Sequence, residues 1–476
     1  MIDYIIIVVY LILVASIGII SGGKQKTIND YFLGSKNVPW WVVGFSIVAA
    51  ETSTLTFISI PGLAYLTNMN FLQVTIGYLL GRIIVAYLFL PAYVDGNLKT
   101  AYSFLETRFG TKVRKFASVV FLFTRTAADG VRLFATAIPL KLMLNIEYPY
   151  AILIIVLITL IYTYTGGMKG VIWVDALQFF IYIIGAVISI VFLINIIPEN
   201  FTSILVKANE AQKFSVFNFG FQDGFLNFFK QPYTLISGLI GGAFLSMASH
   251  GTDQLVVQRL LATKTLKESQ KAVIGSGIII IFQFALFLFV GVLLFVYYGK
   301  LDIKSDEIFS LFIIKVLPSG ISGIIIAGLF AAALSTLAGS ISSLSSSTMI
   351  DLYLPLRKKS IDDKTQLKIS RMFTIMWAIL LVFSALFFMN SSKAVVELAL
   401  SIASFTYGGL LGTFLLGIFI KKANQKDALI AFPISIILMI IVIFSQQVAW
   451  TWFTLVGVLI TILVGFVSSH LTTKKV

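Results

Sequence analysis

FSIVAAETSTLTFISIPGLAY, residues 45–65, decides how the rest of the chain is read. Its flanks are apolar, yet Glu51, Thr52, Ser53, Thr54 and Thr56 stand at its centre and Pro61-Gly62 follow. Hydroxyl side chains compete for backbone hydrogen bonds and weaken a helix. At membrane depth such a break is tolerated where it is buried in protein or lines a cavity. A second stretch repeats the pattern. LISGLIGGAFLSMASHGTDQLVVQR, residues 235–259, is interrupted by Gly241-Gly242, Ser249-His250-Gly251 and Thr252-Asp253-Gln254. Gly and Pro also make ordinary kinks in membrane helices. Two polar breaks five spans apart point instead to a midplane site between inverted repeats. These repeats are expected at about 39–197 and 232–420, within one transmembrane domain over residues 1–476.

The composition agrees with a membrane setting. Hydrophobic residues make up 58% of the 476 and charged residues 12%, against about 25% charged in soluble domains. Apolar runs of ~20 residues recur, enough to cross a ~30 Å hydrocarbon core. The fold class expected is an all-α polytopic membrane protein. About thirteen spans are placed, near 4–22, 39–66, 71–94, 113–144, 148–165, 171–197, 232–259, 270–298, 319–350, 369–390, 394–420, 427–446 and 450–470. The first apolar stretch lacks a basic flank and a small-residue cleavage site, so it reads as a retained helix rather than a signal peptide. With no cysteine, disulfides and thiolate metal sites are excluded.

A net charge of +14 would suit a nucleic-acid partner. Its placement removes that reading. Sorted by alternate loops, 24 of the 35 Lys and Arg fall on one side and seven on the other. The positive-inside rule then puts the N-terminus outside and the C-terminus in the cytoplasm of a multi-pass plasma (inner) membrane protein. The expected partners are the lipid bilayer, a solute and an ion, with no nucleic acid. The two long outward loops, 200–231 and 298–319, have room for short surface helices.

AALSTLAGSISSLSSST, residues 332–348, lies in one of these spans. Ala332, Ser335, Thr336, Gly339, Ser342 and Ser343 recur at helical spacing and share a face. Such a stripe has two readings. It is a close-packing surface between helices, or an oxygen-lined site for a small hard cation.

Ionisable residues at membrane depth are presumed paired or functional, since a charge there costs at least ~2.5–3.5 kcal/mol. Glu51 sits in the first break, and His250 and Asp253 in the second; the roles of Glu51 and His250 stay open. Arg125, Asp129 and Arg132 share a helix face and can neutralise one another. Alternatively, Arg132 is free to take a substrate carboxylate through its planar fork. Asp175 is a possible cation ligand or the partner of a nearby lysine such as Lys169.

GGMKGVIWVDALQ (166–178), SHGTDQLVVQR (249–259) and the Ser-rich helix ending in TMIDLY (348–353) resemble the sodium:solute symporter family, which includes sodium–glucose and sialic acid transporters. The resemblance runs from the second span through the eleventh. It implies a LeuT-type five-plus-five inverted repeat with one leading and two trailing helices. It implies a sodium site from Ala49 and Thr52 in the first break and Ala332, Ser335 and Thr336 in the Ser-rich helix. Some members hold a second sodium with the Asp matching Asp175 and two hydroxyls; here those two positions are Ala338 and Gly339. Sugar transporters of the family use polar residues where this chain has Thr56, Thr75 and the neighbourhood of Leu400. The sialic acid branch matches better, at Ser53, Thr56 and Phe71, with an Arg in the helix of Arg132. The solute contacts expected are Ser53, Thr56, Phe71, Thr75, Arg132, Asp253 and Gln254.

The sequence therefore reads as a sodium-coupled symporter that imports a small organic, preferably anionic solute by alternating access, with one sodium moving per solute. Sodium is the only ion required. A non-transporting sensor of the same fold would call for a signalling domain, and the chain ends at Val476 after a short tail. An enzyme would need a paired nucleophile and base or clustered metal ligands, and the sequence offers neither.

Overall fold

The computed structural model describes residues 2–144, 146–221, 224–357, 361–389 and 395–473. Lys358, Lys359, Lys393, Lys474 and Lys475, counted in the loop sorting, and the side chain of Leu400 lie outside the described residues. Among the described residues the secondary structure is helical, without strands. The principal helices are α1 (Ile2–Gly22), α2 (Trp40–Glu51), α3 (Thr54–Leu66), α4 (Leu72–Ile84), α5 (Thr111–Leu144), α6 (Tyr148–Ile196), α7 (Gly242–Met247), α8 (Gln254–Leu260), α9 (Leu266–Tyr298), α10 (Ile321–Ser347), α11 (Asp363–Phe388), α12 (Val395–Phe419), α13 (Gln425–Ser445) and α14 (Phe453–Thr473).

Among the described residues, eight continuous helical stretches are long and apolar enough to cross a membrane, or nine with α2 and α3 counted as one span bent by 65°. The bend is where the hydroxyl run predicts it. Thr52 (ψ 95°) and Ser53 (ψ 168°) leave the helical region, and the Ser53 hydroxyl caps α3 by accepting from the Thr56 N–H. The second interruption is narrower than the sequence implies. Gly241-Gly242 does not break the helix; π turns at Ser237–Gly241 and Ala248–Thr252 flank α7, and the chain turns extended only at Asp253 (ψ 122°). Glycine at 241–242 widens the helix there without stopping it.

α6 spans 49 residues, far too many for one crossing, but Gly167 has φ 57°. That conformation suits glycine. A Cβ on Gly18 would lie 2.5 Å from Tyr162 Cβ and 3.1 Å from Val174 Cγ2. Twelve residues of straight helix cover about 18 Å, so one contact point for both requires the chain to fold back at Gly167. The two spans expected on either side of residues 166–170 are thus a hairpin.

Loops assigned to the same side of the membrane meet one another. On the basic side Lys36 reaches Asn97 (2.6 Å), Val38 N donates to Ala262 O (3.1 Å), and Arg108 donates to Gly417 O and Lys421 O. On the opposite side Asp3 accepts from Gly320 N (2.6 Å), and Lys213 donates to Tyr65 O and Thr67 O. The surface helices expected there are present, at Phe201–Glu210, Phe225–Phe228 and Ser305–Lys315. The core runs along α10, whose residues are buried almost throughout. Its small side chains let α5, α6 and α2 close in around it.

Candidate functional site

The end of α2 at Glu51 leaves last-turn carbonyls without intrahelical donors. One of them, Ala50 O, accepts from the Thr336 hydroxyl at 3.2 Å. This contact joins the first break to the Ser-rich face of α10. Ala49, Thr52, Ala332, Ser335 and Thr336 are all buried. The Thr52 hydroxyl donates to Val48 O (2.8 Å) and accepts from Gln283 Nε2 (2.6 Å), which fixes its rotamer. Ser335 is turned another way and donates to Asp175 Oδ1 at 2.7 Å.

Asp175 sits in a closed set of donors. Arg259 Nη2 lies 2.9 Å from its Oδ2, and Ser46 Oγ donates to the same oxygen at 2.6 Å. Lys169 is therefore not the partner of Asp175. Arg259, sorted with the basic loops by sequence, is wholly buried. Gly339 makes its seat, since a Cβ there would lie 2.5 Å from Arg259 Nη2. A guanidinium thus occupies the place beside Asp175, and Ala338 and Gly339 bring no side-chain oxygen to it.

The first break borders a narrow cavity of about 10 Å³, room for about one water molecule. Ser53, Arg132, Thr136 and Thr336 line it, with Leu133, Ile155 and Leu337 as apolar wall. Arg132 Nη1 donates to Asp129 Oδ1 at 2.9 Å, and its side chain keeps 27% of its area exposed. Asp129 is buried and also accepts from Ser340. Of the expected solute contacts, Ser53 and Arg132 line this cavity, and Thr56 stands 3.4 Å from Ser53. Phe71 and Thr75 do not. Phe71 stacks on Phe284 at 5.0 Å, and Thr75 donates to Leu72 O.

Asp253 and Gln254 are engaged elsewhere. Asp253 caps α8 at Leu255 N (2.9 Å), forms an ion pair with Arg125, and accepts from Tyr407 at 2.8 Å. Gln254 accepts from Ala101 N (2.9 Å) and donates to Ser346 (3.1 Å). A buried carboxylate takes whatever donors offset its desolvation, and these donors lie on the basic side of the cavity.

Glu51 and His250 meet across the two breaks. Glu51 pairs with the fully buried Arg82, which also donates to Ser276 (2.8 Å), and His250 Nε2 stands 3.7 Å from the Glu51 carboxylate. This charge set ties α2, α4 and the π turn after α7 together.

Sequence reasoning missed the burial of Arg259 and the part of Tyr407. TDQLVVQR placed Arg259 five residues after the break, so only the extended backbone at Asp253 turns it inward.

A family model described as the sodium:solute symporter family matches residues 31–435. The chain is 29% identical to the sodium/sialic acid symporter SiaT of Proteus mirabilis, over 99% of this chain and 95% of that protein. It is 28% identical to the sodium/sialic acid symporter NanT of Aliivibrio fischeri, over 98% and 92% respectively. A solved substrate-bound, outward-open structure of a Na⁺-coupled sialic acid symporter superposes with a TM-score of 0.87 at 28% identity, covering 99% of this chain and 98% of that one. The architecture is the LeuT-type fold expected from the sequence.

Proposed function

We propose that this chain, which belongs to the sodium:solute symporter family, imports a sialic acid or a similar carboxylate solute driven by the sodium gradient. The family consists of transporters rather than enzymes, and sodium and a small solute are the partners of this multi-pass membrane protein. The observation that carries the solute reading is the meeting of Arg132, Ser53 and Thr336 around one cavity. Arg132 offers a planar donor fork to a carboxylate. Ser53 and Thr56 offer hydroxyls to a polyhydroxylated body. The sialic acid transport of the two relatives supports the choice.

Sodium is held by the carbonyls of Ala49 and Ala332, by Thr52, and by the hydroxyls of Ser335 and Thr336. The Thr336–Ala50 contact supports this assignment, because it brings α10 against the freed end of α2. Bound sodium favours the conformer in which these elements touch, which is population shift by differential binding. One sodium moves per solute, the Asp175 carboxylate being neutralised from within by Arg259. The halves 39–197 and 232–420 act as inverted repeats, and the N-terminus faces outward with the C-terminus in the cytoplasm of the plasma (inner) membrane. The loop contacts support the alternation and the excess of basic residues supports its direction.

A competition panel in proteoliposomes tests the solute. Labelled sialic acid uptake is inhibited by unlabelled sialic acid and not by glucose or galactose; inhibition by the neutral sugars alone would overturn the carboxylate reading.

A further inference from the structure

α8 is a seven-residue helix that polar side chains fasten on every side. Asp253, at its start, binds Arg125 of α5 and Tyr407 of α12. Gln254 and Gln258 donate to Ser346 and Ser342 of α10 at 3.1 Å each. Arg259 binds Asp175 of α6. Hydrogen bonds within a protein exchange with those to other groups or to water, so the net contribution of each is modest. This layer lies between the cavity and the basic loops. Arg125 is seven residues nearer the basic end of α5 than Arg132, about 10 Å along the helix.

The layer is connected to the solute cavity by charge. Arg132, Asp129, Arg125 and Asp253 form a line of alternating sign whose formal charges cancel. Asp129 is the shared member, 2.9 Å from Arg132 Nη1 and 3.5 Å from Arg125 Nη1. It also accepts from Ser340, whose hydroxyl oxygen lies 2.9 Å from Thr336 O, next to the proposed sodium site.

We propose that α8 is the gate on the basic side, locked by the Arg125–Asp253–Tyr407 contacts, and that a solute carboxylate at Arg132 unlocks it through Asp129. The second half of this statement rests on the carboxylate reading given above. A carboxylate that takes the donors of Arg132 releases Asp129 from them. Asp129 then draws Arg125 from 3.5 Å into direct contact and away from Asp253. Asp253 is left with Tyr407 and its cap, and α8 loses its ion pair to α5, the tie that holds it shut. A sodium ion beside Thr336 offsets the negative charge that the solute adds, so the line approaches neutrality again only when both are bound.

The test uses the chain's lack of cysteine. Ser343 is fully buried on α10, one turn to the basic side of Ser340. The full-length Ser343→Cys protein in nanodiscs is labelled with a membrane-impermeant maleimide, in sodium alone and in sodium with sialic acid. Both faces are open to reagent, so the result is independent of orientation. Labelling is slow in sodium and at least fivefold faster with sialic acid. Asp253→Asn and Tyr407→Phe each raise the rate several-fold without solute. In Asp129→Asn the labelling rate does not respond to sialic acid at concentrations that saturate that variant's own thermal stabilisation. Wild-type rates in both Asp253→Asn and Tyr407→Phe, with sodium binding intact, would overturn the gate. A full sialic acid response in Asp129→Asn would overturn the relay. Absence of stabilisation by sialic acid in the Ser343→Cys parent would count against the solute reading alone, because the two gate variants are scored without solute.

Discussion

Arg259 Nη2 lies 2.9 Å from Asp175 Oδ2, and both side chains are fully buried. The pair replaces a carboxylate that would otherwise need a mobile cation. Breaking such a pair from one side leaves an uncompensated charge, which costs about 3–5 kcal/mol. Asp175→Asn should therefore lower the unfolding temperature of the purified protein markedly, and Asp175→Asn with Arg259→Met should recover much of that loss. A single Asn variant as stable as the parent would show that Arg259 finds other partners.

The same pair bears on stoichiometry. Two unit charges of like sign about 4 Å apart repel by about 4 kcal/mol at an effective dielectric of 20. A second sodium placed beside Asp175 would meet that repulsion from Arg259. The reversal potential of the carrier in liposomes is expected to fit one sodium per solute, after correction for the net charge moved. A balance in which sodium's driving force counts twice would mean that Arg259 swings out and an ion enters.

Sodium affinity should depend on Thr336 more than on Ser335, because Thr336 reaches the first break while Ser335 is turned toward Asp175. Thr336→Val keeps the shape and loses one ligand oxygen, on the order of 1 kcal/mol or somewhat more. The sodium concentration for half-maximal uptake should rise about tenfold, by the 1.4 kcal/mol that a factor of ten represents. Equal or greater sensitivity in Ser335→Ala would show that Ser335 leaves Asp175 and contributes to the ion as strongly as Thr336.

Arg132→Lys retains the positive charge and loses the fork. Solute affinity should fall by about 1.5–3 kcal/mol, the scale of a charged hydrogen bond. Equilibrium binding of sialic acid in saturating sodium measures it. Unchanged affinity would leave Arg132 as no more than the partner of Asp129.

Much of this architecture is written locally. The hydroxyl run at 52–56 and the paired glycines at 166–167 act on their own backbone, so the bend at Thr52 and the hairpin at Gly167 can be read residue by residue. Thr336 was legible for a similar reason, since helical spacing puts it on one face with Ala332, Gly339 and Ser343 whatever surrounds them. Arg259 was not, nor was Arg114, which is buried and donates through Nε to Asp351 Oδ1 at 2.8 Å. Both are basic residues next to loops, and nothing local separates one that stays in solvent from one that folds back to a carboxylate. Their partners, Asp175 and Asp351, lie 84 and 237 positions away in sequence. Asp253 was recognised as a buried charge, but the choice between a solute and Arg125 depends on the packing of α5 and α12 against α8. The two π turns around α7 were also hidden, because a single extra residue per turn leaves hardly any mark on composition.

Sodium coupling itself is tested most directly by uptake of labelled sialic acid into proteoliposomes under an inward sodium gradient, with potassium or choline as the control. The expected result is accumulation above the external concentration in sodium, collapsing when the gradient is dissipated with an ionophore and staying near background in choline. Equal uptake in sodium and in choline would contradict the account.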